Sequence, residues 1–235
     1  MNPRGPVPLV ELHRVSKTFN GGAHPTTAVR EVSLRALPGE LLLLLGPSGS
    51  GKTTLLTLMA GLSRPTAGRL SLFGRDIEGY GAGELQRLRA ERVGFIFQTF
   101  LLIDSLTVLE NVEVVLRFNG WGRAQRSAKA RCLLRRLNID HLAGHLPATL
   151  SQGEKQRVAV ARALVNDAEL IIADEPTGSL ETRQGAEIIR LLHSQAKAGR
   201  KCVVVASHDL RLEEFADRTL RLVDGSLAPE SSPRA

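Results

Sequence analysis

The sequence predicts an α/β fold: a parallel sheet covered by helices, an antiparallel strand portion at one edge, and an all-helical insert. Three observations carry this expectation. Gly46-Pro47-Ser48-Gly49-Ser50-Gly51-Lys52-Thr53 fits the pattern G-x-x-x-x-G-K-[ST], and it sits between the apolar run Leu41–Leu45 and the helix-like segment Thr54–Ala60. Two further runs, Leu170–Ala173 and Cys202–Val205, are continuously apolar, as strands buried on both faces must be. Between Gln98 and about Asp167 the strand pattern gives way to i, i+3, i+4 apolar spacing.

Met1 to Pro8 is rich in Pro and charge and reads as a frayed end, as does Ala228 to Ala235. Strand-like stretches come at Val10–Arg14, Ala28–Leu37, Leu41–Leu45 and Arg69–Leu72. The early ones are short and mixed, and Pro38-Gly39 marks a turn between two of them, which suggests the antiparallel edge. Val93–Phe97 is the next strand. Val108–Phe118, Arg123–Leu137 and Glu154–Val165 read as helices with no strand-like run among them. After Leu170–Ala173 a helix over Glu181–Ala196 places Ile188, Ile189, Leu192 and Ala196 on one face. Cys202–Ala206 and Thr219–Val223 close the sheet. The whole chain, 1–235, reads as one domain, with 9–97 and 168–227 as core and 98–167 as the helical subdomain.

The glycine-rich segment has a specific chemistry. Glycines let the backbone curl so that successive N–H groups point at phosphate oxygens, and the following helix adds its partial positive N-terminus. The pattern predicts Gly46, Pro47, Ser48, Gly49, Ser50, Gly51, Lys52, Thr53 and Thr54 as a phosphate cradle. Lys52 reaches the β- and γ-phosphates, and the Thr53 hydroxyl ligates Mg²⁺. Leu170-Ile171-Ile172-Ala173 ends in Asp174-Glu175. In a phosphate-loop sheet that Asp lies beside the Mg²⁺, and the Glu lies where it can polarise an attacking water. Ser151-Gln152-Gly153-Glu154 has capping-box spacing. The residues leave it open whether that helix start is only a cap or also an anion site.

Composition narrows the classes. A hydrophobic fraction of 43% supports a full core, and 4% aromatics means that core is built from Leu, Val, Ile and Ala. No apolar run approaches the roughly 20 residues needed to span a bilayer. The N-terminus lacks a secretory pattern, so the chain reads as cytosolic, with any membrane role coming through a partner. Cys132 and Cys202 lack metal-ligand spacing and read as free thiols in a reducing compartment. The net charge of +7, with basic residues concentrated from Arg117 to Arg136, suits a solvated surface or nearness to anionic headgroups. No basic run interleaves with aromatics as single-strand binders require, so nucleic acid is not expected.

The order of short motifs then carries a resemblance. A phosphate loop is followed by Gln98 after a strand, Leu150-Ser151-Gln152-Gly153-Glu154, the Asp174-Glu175 strand and Ser207-His208-Asp209. This resembles the ATP-binding cassette (ABC) ATPases over essentially the whole chain. The resemblance implies a RecA-like P-loop NTPase core with a parallel sheet, an antiparallel β edge subdomain and the helical insert. It implies ATP and Mg²⁺ as ligands and a head-to-tail homodimer with ATP sandwiched at the interface. Phe19 falls where the family stacks an aromatic on adenine. Gln98 matches the residue that senses Mg²⁺ and the attacking water. Ser151 and Gly153 match the signature residues that contact the γ-phosphate held by the opposite subunit. Glu175 matches the general base, and His208 the γ-phosphate histidine. Gly178-Ser179-Leu180-Glu181 matches the loop that crosses the dimer interface.

Two departures stand out. The family signature is LSGGQ, and here Gln152 and Glu154 replace its first Gly and its Gln. Glu181 stands where an Asp is usual. Phe97-Gln98-Thr99-Phe100-Leu101-Leu102 and Leu106-Thr107-Val108-Leu109-Glu110-Asn111-Val112 look like the lipoprotein-release and macrolide-export group. That likeness implies an ATPase at the cytoplasmic membrane face driving a separate permease, which docks a short helix near Phe97 to Leu102. An importer ATPase, or a non-transport regulator such as a cell-division ATPase, shares much of the same text.

Overall fold

A computed structural model describes residues 6–21, 25–178, 180–199 and 201–228. Of the expected ends 1–8 and 228–235, residues 1–5 and 229–235 lie outside the described residues, as does Ser179 of the interface loop.

Two sheets are stacked. The first has the order β2-β1-β4-β5 and is antiparallel: β1 (Val10–Phe19), β2 (Thr26–Ala36), β4 (Ala67–Leu72) and β5 (Arg75–Asp76). The second has the order β10-β9-β3-β8-β7-β6: β3 (Leu41–Leu45), β6 (Val93–Ile96), β7 (Leu170–Asp174), β8 (Cys202–Ser207), β9 (Arg218–Val223) and β10 (Ser226–Leu227). Its strands run parallel except β10, which returns antiparallel to β9.

The uninterrupted apolar runs are explained by burial on both faces. Every residue of β3, β7 and β8 is buried. Successive side chains alternate between two cores, as the strand period of two demands. Leu41, Leu43 and Leu45 join Ile171, Ala173, Val203 and Val205 on the face covered by the helical region. Leu42 and Leu44 join Ile172, Val204 and Ala206 on the face covered by the antiparallel sheet and α1 (Lys52–Met59).

Four findings correct or sharpen the sequence expectations. The Pro38-Gly39 turn is present, but it joins β2 and β3, which belong to different sheets. It is thus the crossing from the antiparallel edge into the parallel core and not a hairpin. β1 runs on to Phe19, past the predicted end at Arg14, through register shifts between Leu12 and Thr18. Those shifts break the period-2 pattern, which hid the second half of the strand. α1 opens at Lys52, two residues before the predicted Thr54. An unpredicted helix, α2 (Ala82–Arg92), buries only Leu85 and Leu88 and is otherwise charged.

Between β6 and β7 the described chain is helical, with α3 (Val108–Phe118), α4 (Arg123–Arg136) and α5 (Gln152–Leu164). α3 begins at a capping box, with Thr107 and Glu110 bonded reciprocally. α5 lies against β6 so closely that a Cβ on Gly94 would stand 2.2 Å from the Ala163 carbonyl oxygen. α6 (Thr182–Gly199) buries the predicted face of Ile188, Ile189, Leu192 and Ala196. Among the described residues no helix is long and apolar enough to cross a membrane.

Candidate active site

The predicted chemistry gathers at the carboxyl ends of adjacent parallel strands, where open α/β sheets place their ligands. β3 lies between β9 and β8, and β7 is next beyond β8. In register, Leu45 pairs with Ser207 and Asp174 with Ala206. The loop after β3, the acids at the end of β7 and the Ser207-His208 step after β8 are therefore neighbours.

Pro47, Ser48 and Gly49 are exposed at the crest of the loop from Gly46 to Thr53, and Ser50 is buried beneath it. Gly51 turns the chain into α1 with φ of 99°. A Cβ there would come within 2.1 Å of the Ala28 carbonyl oxygen on β2, so no larger residue fits. Lys52 is only 7% exposed. Its Nζ donates to the carbonyls of Gly46 (2.7 Å) and Pro47 (3.0 Å), curling the loop around its own cation. Thr54 lies in the first turn of α1 and its carbonyl accepts the Thr57 hydroxyl.

Thr53 donates its hydroxyl to Asp174 Oδ2 at 2.6 Å. Burial pushes the Asp174 carboxyl above its ordinary range, the Thr53 hydrogen bond and Lys52 oppose this, and the neighbouring Glu175 charge adds to it. A desolvated carboxylate beside a hydroxyl is a hard-oxygen donor pair. It fits a small divalent cation that keeps most of its ligands as water or phosphate oxygens, as Mg²⁺ does. The buried Ser50 Oγ has no hydrogen-bond partner, an orphan acceptor and donor at the base of the cradle. The residues present thus fit Mg²⁺ and a polyphosphate.

Glu175 adopts a left-handed backbone, φ 47°, directly after β7. Such conformations cost about 1–3 kcal/mol in non-glycine residues and cluster at functional sites. Its Oε1 lies 3.0 Å from His208 Nδ1 and 3.8 Å from Lys52 Nζ, and its Oε2 accepts the Ser207 hydroxyl at 3.2 Å. His208 also lines an open cavity of about 270 Å³ with Gly46, Pro47 and Arg221. Lys52, Asp174, Glu175 and His208 therefore form one cluster around the loop.

The other predicted residues stand apart from that cluster. Gln98 lies in the exposed turn after β6, and none of the described hydrogen bonds ties it to Asp174 or Thr53. Phe19 ends β1 with its ring 48% exposed and Lys17 Nζ 5.4 Å from the ring centroid. It pairs with Thr26, two residues before the Ala28 carbonyl that backs Gly51. Ser151 caps α5, and its N–H and Oγ both donate to Glu154 Oε2 at 2.8 Å. Ser151 thereby holds the Glu154 carboxyl below its ordinary range. The signature departure at Glu154 is thus half of a capping box. Gly153 faces Leu180 and Gln184, and a Cβ on it would stand 3.4 and 3.1 Å from their side chains.

Two contributors had no assigned role in the sequence. Ser207 was visible only as part of Ser207-His208-Asp209. Arg162 of α5 donates to the carbonyls of Phe100 and Leu101 at 2.5 Å each, and both residues have positive φ. Nothing in the sequence marks that bend, because it depends on a side chain 61 positions away.

Comparison with known proteins identifies the family and the fold. Residues 29–178 match the family model described as ABC transporter. The chain is 38% identical over 231 residues to the macrolide export ATP-binding/permease protein MacB of Marinobacter nauticus, covering 98% of this chain and 35% of that protein. It spans about a third of the length of the MacB proteins it matches. It is 40% identical over 223 residues to the uncharacterised ABC transporter ATP-binding protein YbbA of Escherichia coli, covering 95% of this chain and 98% of that one. The dimeric ATP-binding cassette MJ0796, solved in a post-hydrolysis state with ADP and Pi, superposes with a TM-score of 0.91 at 36% identity. That match covers 96% of this chain and 99% of the other.

Proposed function

The chain belongs to the ABC transporter family and is an ATP-hydrolysing cassette, and on that premise we propose that it powers a membrane permease of the export or mechanotransmission type. The observation that carries the reading is the Lys52–Glu175–His208 cluster beside the Thr53–Asp174 pair at the strand ends. The MacB relatives, named for macrolide export, support the export subgroup. The cassette then sits at the cytoplasmic face of the membrane.

Each residue has a task in this reading. Phe19 stacks on the adenine. Lys52 exchanges the Gly46 and Pro47 carbonyls for β- and γ-phosphate oxygens, and the loop amides take the rest. Thr53 and Asp174 would hold Mg²⁺, with Gln98 joining them from the turn after β6, and the ion would neutralise phosphate charge. Glu175 accepts the proton of the attacking water. His208 contacts the γ-phosphate, and Ser151 and Gly153 reach the nucleotide of the opposite subunit in a head-to-tail dimer. The dimeric MJ0796 structures support the pairing. Closure is then a population shift, because ATP binds fully only to the closed state. A cavity of about 180 Å³ lined by Phe95, Phe97, Leu101 and Val115, with Arg162 and Asn166, supports docking of a permease segment beside α5.

The test is a pull-down of tagged Glu175→Gln protein from detergent-solubilised native membranes with ATP. A four-span permease with a large extracytoplasmic domain is expected among the bound proteins. A multi-span permease with a solute-binding protein would replace export by import. Recovery of soluble proteins alone would overturn the transporter reading.

Glu154 gives a second expected result. Its carboxylate occupies the Ser151 proton that the sandwich needs for phosphate, and it brings negative charge to the helix start. Glu154→Gln keeps the capping box, since Glu and Gln both serve there. Half-maximal dimerisation by ATP, monitored by light scattering in the Glu175→Gln background, shifts to about fivefold lower ATP, the scale of relieving one like-charge contact with phosphate in water. Loss of helix stability instead would show the carboxylate to be chiefly a cap.

A further inference from the structure

We propose that Ser207 is the positioning residue that aims the general base. The inference rests on the reading of Glu175 as that base. Ser207 ends β8, between β3 and β7 in the sheet, and is 1% exposed. It touches three parts of the site at once. Its carbonyl accepts the N–H of Gly46, where the phosphate loop begins, at 3.3 Å. Its hydroxyl donates to Glu175 Oε2 at 3.2 Å and accepts the Asp209 N–H at 3.1 Å.

The direction of this chain is fixed by chemistry. A backbone N–H can only donate and an ionised carboxylate can only accept, so the single hydroxyl proton must point at Glu175. The far end is anchored too. The Asp209 carboxylate accepts Nε and Nη2 of Arg211, at 2.9 and 2.7 Å, and the Arg211 N–H at 3.0 Å. Arg211 holds the Asp209 carboxyl below its ordinary range. The turn that carries the hydroxyl is therefore braced before any nucleotide arrives.

Glu175 depends on this hold. Its left-handed backbone persists only where surrounding contacts over-determine it. Its two carboxylate oxygens are gripped from adjacent residues, Oε1 by His208 and Oε2 by Ser207. His208 is largely exposed and, in the reading above, turns to the γ-phosphate. Ser207 is buried and does not leave. Once His208 lets go, the Ser207 hydroxyl is the side-chain hydrogen bond left on the base, with Lys52 3.8 Å away and turned to the phosphates in this reading, while the bond to Gly46 is a backbone contact that substitution does not remove. Ser207 thus governs turnover and leaves nucleotide affinity alone.

The test measures Ser207→Ala and Ser207→Thr, with Glu175→Gln alongside. Ser207→Ala lowers kcat about tenfold, the scale of a small misplacement of a catalytic group. Its affinity for a fluorescent ATP analogue stays at the wild-type value, its Tm falls by only a few degrees as the Asp209 N–H loses its acceptor, and Ser207→Thr restores kcat to within about threefold because the hydroxyl returns. A crystal structure of Ser207→Ala with a non-hydrolysable ATP analogue, in which His208 has turned to the γ-phosphate, shows the Glu175 carboxylate rotated away from its inward position. A wild-type kcat in Ser207→Ala overturns the proposal. So does an equal loss in a folded Ser207→Thr, or a loss that falls on nucleotide affinity as much as on kcat. If Glu175→Gln itself keeps wild-type turnover, the reading of Glu175 as base fails, whatever Ser207 does.

Discussion

Turnover in a Glu175→Gln variant falls about 100- to 10,000-fold, the range that general base catalysis supplies, while an ATP-bound dimer accumulates. The substitution preserves volume, and the amide oxygen still accepts the Ser207 hydroxyl. Basicity and one negative charge are lost. Glu175 is 3.8 Å from Lys52 Nζ, so its carboxylate stands close to the cation assigned to the γ-phosphate. Removing that charge relieves repulsion toward the phosphate and favours the closed state. Steady-state phosphate release reads the first effect, and light scattering with and without ATP reads the second. A variant that stays monomeric in saturating ATP would contradict the sandwich.

Lys52→Ala weakens ATP binding about 100-fold or more, in line with removing one partner of a buried, charge-assisted contact. The side chain is buried and its ammonium already lies within the loop, bonded to Gly46 and Pro47. Little conformational entropy is lost when it exchanges carbonyls for phosphate oxygens, so most of its interaction energy reaches the nucleotide. Truncation also leaves the Gly46 carbonyl without its donor, while Pro47 keeps the Ser50 N–H at 3.3 Å. Isothermal titration with a non-hydrolysable ATP analogue measures the effect. Undiminished affinity would remove the phosphate-loop assignment.

The parallel core and the strand-end chemistry were legible in the sequence for the same reason. β3, β7 and β8 are buried on both faces, so their text is unbroken by polar residues, and each run ends directly at the residues proposed to carry the chemistry. Lys52, Thr53, Asp174 and Glu175 could be placed by counting. α3 was also legible to its boundaries, because its cap and its apolar stripe agree. α2 was not, since two buried leucines in eleven residues leave too weak a period. The second half of β1 was lost to register shifts. The roles of Ser207 and Arg162 come from hydrogen bonds across 32 and 61 positions, which no local pattern encodes.

The clamp of Arg162 on Phe100 and Leu101 has a mechanical meaning. Burial pushes the Arg162 guanidinium down from its ordinary value, yet it is spent on two backbone carbonyls of a strained bend. That bend comes two residues after Gln98, and Arg162 rides on the helix that starts beside Ser151. α5 is a strut of 13 residues, about 20 Å long. The Gln98 turn and the Ser151 tip are therefore opposite ends of one crank. A rigid shift of α5 would carry the Gln98 turn and the Ser151 tip together, with a throw set by the helix length.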